Sequence, residues 1–285
     1  MKVGIVGLGL IGGSLGLDLR SLGFQVLGVS RREKTCYLAL DKKAVDEASV
    51  SLSLLEKADL VFVCTPIAAI TATVEQLIPH LNPSTVVTDV GSVKMPIIDL
   101  CSQLWDNFVG GHPMAGTAEQ GINAAQKRLF SGAPYVLTPN RKTSPAALQK
   151  VQEIVKLLEA KTYICSPDIH DKTVSWISHL PLMVSTSLIF ACLREADPQV
   201  LELAQNLASS GFRDTSRVGG GNPELGLMIA HYNRQALLRS LYEYRHRLDS
   251  IIEDIEQENW VHLEEILTLT KERRPLFLND SSQSG

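Results

Sequence analysis

Apolar residues follow two different rhythms along this chain. Up to about residue 165, short apolar runs of strand length alternate with stretches of helical period; beyond it only the helical period remains. Residues 2–6, 25–29, 60–64, 85–88 and 108–109 read as buried strands, with 135–137 and 162–165 as two more. Stretches such as 69–81 and 95–104 place apolar residues three and four apart and read as the intervening helices. Strands that alternate with helices predict a parallel sheet covered on both faces. Right-handed crossovers then give a doubly wound, Rossmann-type α/β domain over residues 1–166.

From Ser166-Pro167 onward the pattern predicts an all-α domain, residues 167–279. One apolar helix spans 168–194, kinked at Pro181, and a later amphipathic stretch runs 223–258 as a continuous pattern. So much apolar helical surface predicts burial against a second copy, making the helical half a homodimerisation domain. The small polar tail, 280–285, is expected to be disordered.

Composition narrows the partners. The 285 residues carry 27 Lys and Arg against 31 Asp and Glu, and no basic run occurs, so neither a nucleic acid nor a membrane surface is an expected partner. No apolar run is long enough for a membrane span, and the glycine-broken start does not read as a signal peptide. Five single cysteines without a CxxC spacing predict neither a disulfide framework nor a metal site, and fit a reducing cytoplasm.

Gly7-Leu8-Gly9-Leu10-Ile11-Gly12 directly follows the first strand and opens a helix, the context in which a GxGxxG run binds a dinucleotide. Gly7 permits the tight turn, Gly9 leaves room for a pyrophosphate, and Gly12 lets helix and strand approach. The unpaired N–H groups of the helix start, from Leu10 and Ile11 to Gly12, would face the pyrophosphate. Where an NAD-binding fold places an acid to hold the ribose 2′-hydroxyl, this chain has Ser30-Arg31-Arg32. Two guanidiniums in place of a carboxylate predict a 2′-phosphate, hence NADP. Thr65-Pro66 and Gly91-Ser92, at the carboxyl ends of two later strands, are expected to reach its nicotinamide half.

Two further clusters carry chemistry: His112-Pro113-Met114-Ala115-Gly116 after a strand end, and Ser178-His179-Leu180-Pro181 in the helical half. Together with residues 7–14, Asp89-Val90-Gly91-Ser92-Val93-Lys94 and Gly211-Phe212-Arg213-Asp214-Thr215-Ser216-Arg217, they give the chain its resemblance to the prephenate/arogenate dehydrogenases of tyrosine biosynthesis. That resemblance implies oxidative decarboxylation of a cyclohexadienol to an aromatic ring, with hydride passing to the cofactor. It implies His112 as the base for the ring hydroxyl, and Ser92 as the group orienting the hydroxyl or His112. Arg217 would bind the ring carboxylate, and His179, Gly116 and Thr117 would line the substrate pocket. His80, His170, His231, His246 and His262 read as surface or packing residues.

Arogenate is the expected substrate over prephenate. Glu119 follows the His112 cluster closely enough to face the arogenate ammonium, and Gly226 stands where many family members carry Trp; NADP use also often accompanies arogenate in this family. Two other classes compete. A 6-phosphogluconate-type hydroxyacid dehydrogenase would rely on Lys172, though Ile169-His170-Asp171-Lys172-Thr173 lacks that family's glycine-rich approach. An NADP-sensing regulator would need no base above the nicotinamide.

Overall fold

The computed structural model describes residues 1–117 and 119–278, so the expected disordered tail lies outside the described residues. In chain order come β1 (Lys2–Val6), α1 (Leu10–Ser21), β2 (Gln25–Val29), α2 (Glu33–Asp41), β3 (Glu47–Ser49), β4 (Leu60–Val63), α3 (Ile67–Leu77), β5 (Val86–Asp89), α4 (Met95–Leu104), β6 (Phe108–Pro113), β7 (Pro134–Thr138), α5 (Pro145–Leu157) and β8 (Lys161–Ile164). The helical part comprises α6 (Pro167–Val174), α7 (Leu180–Cys192), α8 (Pro198–Leu207), α9 (Ser210–Ser216), α10 (Pro223–Tyr232), α11 (Arg234–Glu256) and α12 (Trp260–Arg273).

The sheet order is β3-β2-β1-β4-β5-β6-β7-β8. It is parallel from β3 through β6, as the alternating pattern predicts, and β7 then runs antiparallel to β6. Both faces are covered. Ile5, Phe62 and Leu137 pack with Leu15 and Leu19 of α1 and Val151 and Ile154 of α5. Val61, Val63 and Val87 pack with Ile70 and Val74 of α3 and Ile97 and Ile98 of α4.

Several helix starts are written locally. Ser144, Ser166, Asp197 and Asn222 each accept a backbone N–H of the helix they open, and each is followed by proline at the first helical position.

Three elements differ from the sequence reading. β6 continues past Val109 to Pro113 because β7 pairs Gly110, Gly111, His112 and Pro113 with Thr138, Leu137, Val136 and Tyr135, an antiparallel partnership that local propensity does not show. His112 therefore lies within a strand end rather than after it. The kink expected at Pro181 is a π-helical turn, Ser175–His179, just upstream of it; proline has no N–H to continue the ladder, and the wider turn absorbs the loss. The stretch 223–258 is broken at Asn233, whose backbone (φ −110°, ψ 31°) closes α10 before α11 begins.

The chain forms two compact units, Met1–Leu237 and Leu238 onward. The change from sheet to helices at Ser166-Pro167 lies inside the first unit, since α6 packs on α4 and β7. In the second, the Asp254 carboxylate joins α11 to α12 through His262 Nδ1 at 2.8 Å. Contrary to the sequence reading, residues Pro167–Cys192 are long and apolar enough by length and composition to cross a membrane. Polar residues interrupt the run, so it holds no long unbroken apolar stretch. Four of them, His170, Asp171, Ser175 and His179, are buried within the protein.

Candidate active site

The glycine turn has the shape of an anion cradle. Gly7 adopts φ 99°, and a Cβ there would stand 2.6 Å from the Cys64 carbonyl oxygen. A Cβ on Gly12 would overlap the Gly7 carbonyl oxygen, whereas one on Gly9 would meet nothing within 4 Å. The space above Gly9 is thus open at the start of α1, where no side chain caps the helix and no acid sits in its first turn. Those free N–H groups and the helix dipole suit a pyrophosphate. Thr65, just past β4, buries an unpartnered hydroxyl, a group that a bound dinucleotide can satisfy. Pro66 opens α3 beside it. At the end of β2, Arg31 and Arg32 are exposed, and Ser30 Oγ lies 3.5 Å from the Arg32 amide. The residues present fit a nicotinamide dinucleotide.

Four strands along, a buried ion pair fastens the residue before His112. The β5–β6 ladder ends at the Thr88–Val109 pair, which leaves Gly111 without a β5 partner. Asp89 and Lys94, both fully buried, supply the missing bonds. Asp89 Oδ1 accepts from Gly111 N (3.2 Å), Lys94 Nζ donates to Gly111 O (2.7 Å), and the two side chains pair directly. Gly91 N also donates to Asp89 (2.8 Å), setting the turn that carries half-buried Ser92. A Cβ on Gly111 would stand 2.7 Å from Asp89 O, so this fastening requires glycine.

His112 is 8 % exposed, and its Nδ1 lies 2.8 Å from His170 Nε2. His170 Nδ1 is in turn 2.7 Å from Asp171 Oδ1. Burial holds the His112 imidazole well below its ordinary pKa, reinforced by His170, by the Lys94 ammonium and by His179. His112 is therefore neutral at pH 7, the state a base requires.

His179 lies on the π turn and is buried. Asn233 Nδ2 donates to the Asp171 carbonyl (2.9 Å) and to His179 Nδ1 (3.0 Å). With Nδ1 accepting, the neutral ring carries its proton on Nε2, which is buried without a partner. Burial brings the His179 pKa down to about 4, so this N–H is an uncharged donor awaiting an acceptor. Arg217 begins a single turn, Arg217–Gly220, seated on α7. Ser185 Oγ donates to Thr215 O and accepts from Gly219 N, each at 2.9 Å. Arg217 is exposed, and the neighbouring acid, Asp214, faces Arg213 at 3.4 Å instead. Gly116 and Thr117 are exposed beyond β6, where Thr117 Oγ1 accepts the Glu119 amide at 3.2 Å. Gly226, half-buried, would place a Cβ 3.7 Å from Leu182.

The sequence reading assigned His170 to surface or packing; it is 1 % exposed and bonded to His112. Asp171, Asn233 and the Asp89–Lys94 pair were likewise missed as a group. One signal was available: Asp171, Ser175 and His179 repeat at four-residue spacing, a polar stripe in an otherwise apolar helix. Nothing local links that stripe to His112. Lys172, the base required by the competing hydroxyacid dehydrogenase reading, is half-exposed and paired with Asp168 at 2.7 Å.

The family model for the prephenate dehydrogenase nucleotide-binding domain matches residues 15–164, and that for the prephenate dehydrogenase dimerization domain matches residues 166–269. The chain is 31 % identical to the prephenate dehydrogenase of Bacillus subtilis over 277 residues, covering 95 % of this chain and 74 % of that one. Among solved structures, Synechocystis arogenate dehydrogenase superposes with a TM-score of 0.89 at 54 % identity, covering 98 % of this chain and all of that one. The Aquifex aeolicus prephenate dehydrogenase, in complex with hydroxyphenyl propionate and NAD+, gives 0.91 at 28 % identity, with 96 % and 97 % covered. These matches show that the chain belongs to the prephenate dehydrogenase family, oxidoreductases that use a nicotinamide dinucleotide.

Proposed function

We propose that this enzyme converts L-arogenate to L-tyrosine and carbon dioxide with NADP as the hydride acceptor. The observation that carries the reading is His112, buried and neutral at a strand's carboxyl end, with Nε2 outside its hydrogen-bond network. The likeness to Synechocystis arogenate dehydrogenase over nearly the whole chain supports arogenate.

When bound, the nicotinamide supplies the acceptor for the ring hydride. His112 takes the proton of the ring hydroxyl as the ring carbon is oxidised. Ser92, on the turn set by Asp89, orients that hydroxyl. His179 offers its unpartnered Nε2–H to a substrate oxygen, which relieves the cost of an unsatisfied buried donor. Arg217 pairs with the ring carboxylate in two-pronged geometry, and Gly116 and Thr117 close the pocket on the loop side. Gly7, Gly9, Leu10, Ile11 and Gly12 hold the pyrophosphate, and Thr65, Pro66, Gly91 and Ser92 border the nicotinamide half. Exposed apolar residues on the helices, among them Phe190, Leu193, Leu203 and Leu207, together with the dimerization-domain match, support a homodimer joined through residues 167–279. Five free cysteines and the biosynthetic relatives favour a cytoplasmic location.

A second reading keeps the chemistry and changes the substrate to prephenate; the Bacillus subtilis relative favours it. The whole assignment requires NADPH and tyrosine to appear together when enzyme, NADP and arogenate are mixed, and NADPH formation from neither substrate would overturn it.

The cofactor choice has its own experiment. Ser30-Arg31-Arg32 should give NADP an advantage over NAD of about tenfold or more in kcat/KM, roughly 1.4 kcal/mol. Arg31→Ala is expected to remove much of that advantage and leave kcat/KM with NAD nearly unchanged. Equal losses with both cofactors would show that Arg31 does not read the 2′-phosphate.

A further inference from the structure

We infer that His170 and Asp171 form a proton relay behind His112, fixing Nε2 as its basic nitrogen and drawing the proton's charge away from the substrate. The inference rests on the reading of His112 as the proton acceptor, and deepens it.

Asp171 ends the hydrogen-bond chain behind His112. Its Oδ1 lies 2.7 Å from Lys94 N and its Oδ2 lies 2.9 Å from Met95 N, so the carboxylate receives two backbone donors at the start of α4. Such a group acts as an acceptor, so the 2.7 Å contact to His170 Nδ1 requires the proton on that nitrogen. A neutral His170 then has its lone pair on Nε2. That lone pair sits 2.8 Å from His112 Nδ1, so His112 must donate from Nδ1. The lone pair of His112 is left on Nε2, which has no partner among the described residues. Each proton position follows from the one before it.

The same chain balances the transfer. As the substrate O–H bond breaks, a new N–H bond forms at His112 Nε2. The proton on His112 Nδ1 can then pass to His170 Nε2, leaving His112 neutral and His170 an imidazolium against the Asp171 carboxylate. The charged groups facing His112 favour this direction. Burial most of all, then His170, the Lys94 ammonium from the β5–α4 turn and His179, disfavour an imidazolium on His112. Asp89 already pairs with Lys94, which leaves Asp171 to receive the charge. His170 is thus a positioning residue that acts through His112.

The test is to label the protein with ¹⁵N-histidine and read the imidazole tautomers at neutral pH in wild type, His170→Phe and His170→Gln. Wild-type His112 and His170 should both carry their proton on Nδ1. In His170→Phe the acceptor is gone, and His112 should populate the Nε2–H form. Its kcat should fall at least about tenfold with KM for both substrates unchanged, as for other residues that orient a working histidine. His170→Gln, whose amide oxygen can accept from Nδ1–H, should restore the tautomer and part of kcat. A wild-type His112 protonated on Nε2, or a fully active His170→Phe enzyme, would overturn the relay. The wild-type spectrum decides the question even if the variants fail to fold. An active His112→Asn enzyme would instead remove the proton-acceptor reading, whatever tautomer the spectra show.

Discussion

Replacing His112 by asparagine is expected to lower kcat about 10²–10⁴-fold, the usual contribution of a positioned general base. Asparagine keeps a hydrogen-bonding group of similar reach, so the bond toward His170 and the packing beside Val136 of β7 can persist. The cradle at Gly7–Gly12 belongs to another strand end, so KM for NADP should stay near the wild-type value. The wild-type pH profile carries a second expectation, with a definite sign. Burial, then His170, Lys94 and His179, all disfavour the imidazolium and lower the pKa of His112. The neutral base therefore survives to lower pH than a solvent-exposed histidine would. Activity should hold as pH falls through the ordinary imidazole value of about 6.5 and decline only below it. An acid limb centred above that value, or an active asparagine variant, would show that His112 is not the base.

Lys94→Met should be strongly destabilising. Lys94 and Asp89 are both fully buried, and burial pulls the Lys94 pKa down while the Asp89 carboxylate opposes that shift. Methionine nearly matches the lysine stem in volume, so packing changes little. The loss is electrostatic: Asp89 is left as a buried charge with only the Gly91 and Gly111 amides, and Gly111 O loses its donor. Removing one partner of a buried pair typically costs about 3–5 kcal/mol. That is a large share of the roughly 5–15 kcal/mol that holds a domain folded. Urea unfolding followed by circular dichroism measures it. A loss below about 1 kcal/mol would show that water or a rearranged neighbour compensates the carboxylate.

How far this architecture can be read from sequence follows from the range of each interaction. The parallel sheet was legible because β1, β2, β4 and β5 are short apolar runs with helical stretches between them, a purely local pattern. The glycine turn was legible because its chemistry lies within six residues. The extension of β6 through His112 was not, since Gly110, Gly111 and Pro113 are poor strand formers and only the distant strand β7 makes them one. The break at Asn233 was hidden for the same reason. Its side chain bonds Asp171 and His179, which lie 62 and 54 positions away in sequence. His170 shows the limit most clearly: a histidine beside an aspartate is unremarkable until α6 is packed on β7 and α4, bringing it to His112.

Measuring kcat/KM for arogenate and for prephenate with NADP at one pH, using the wild-type enzyme, is the most direct test of the proposed reaction. Arogenate should be the better substrate, with NADPH formed in step with tyrosine. The difference is one of two affinities at the side-chain end of the pocket, so an advantage of about 1–2 kcal/mol is the expected scale. Prephenate better by about tenfold would contradict the assignment of substrate and leave the chemistry at His112 in place.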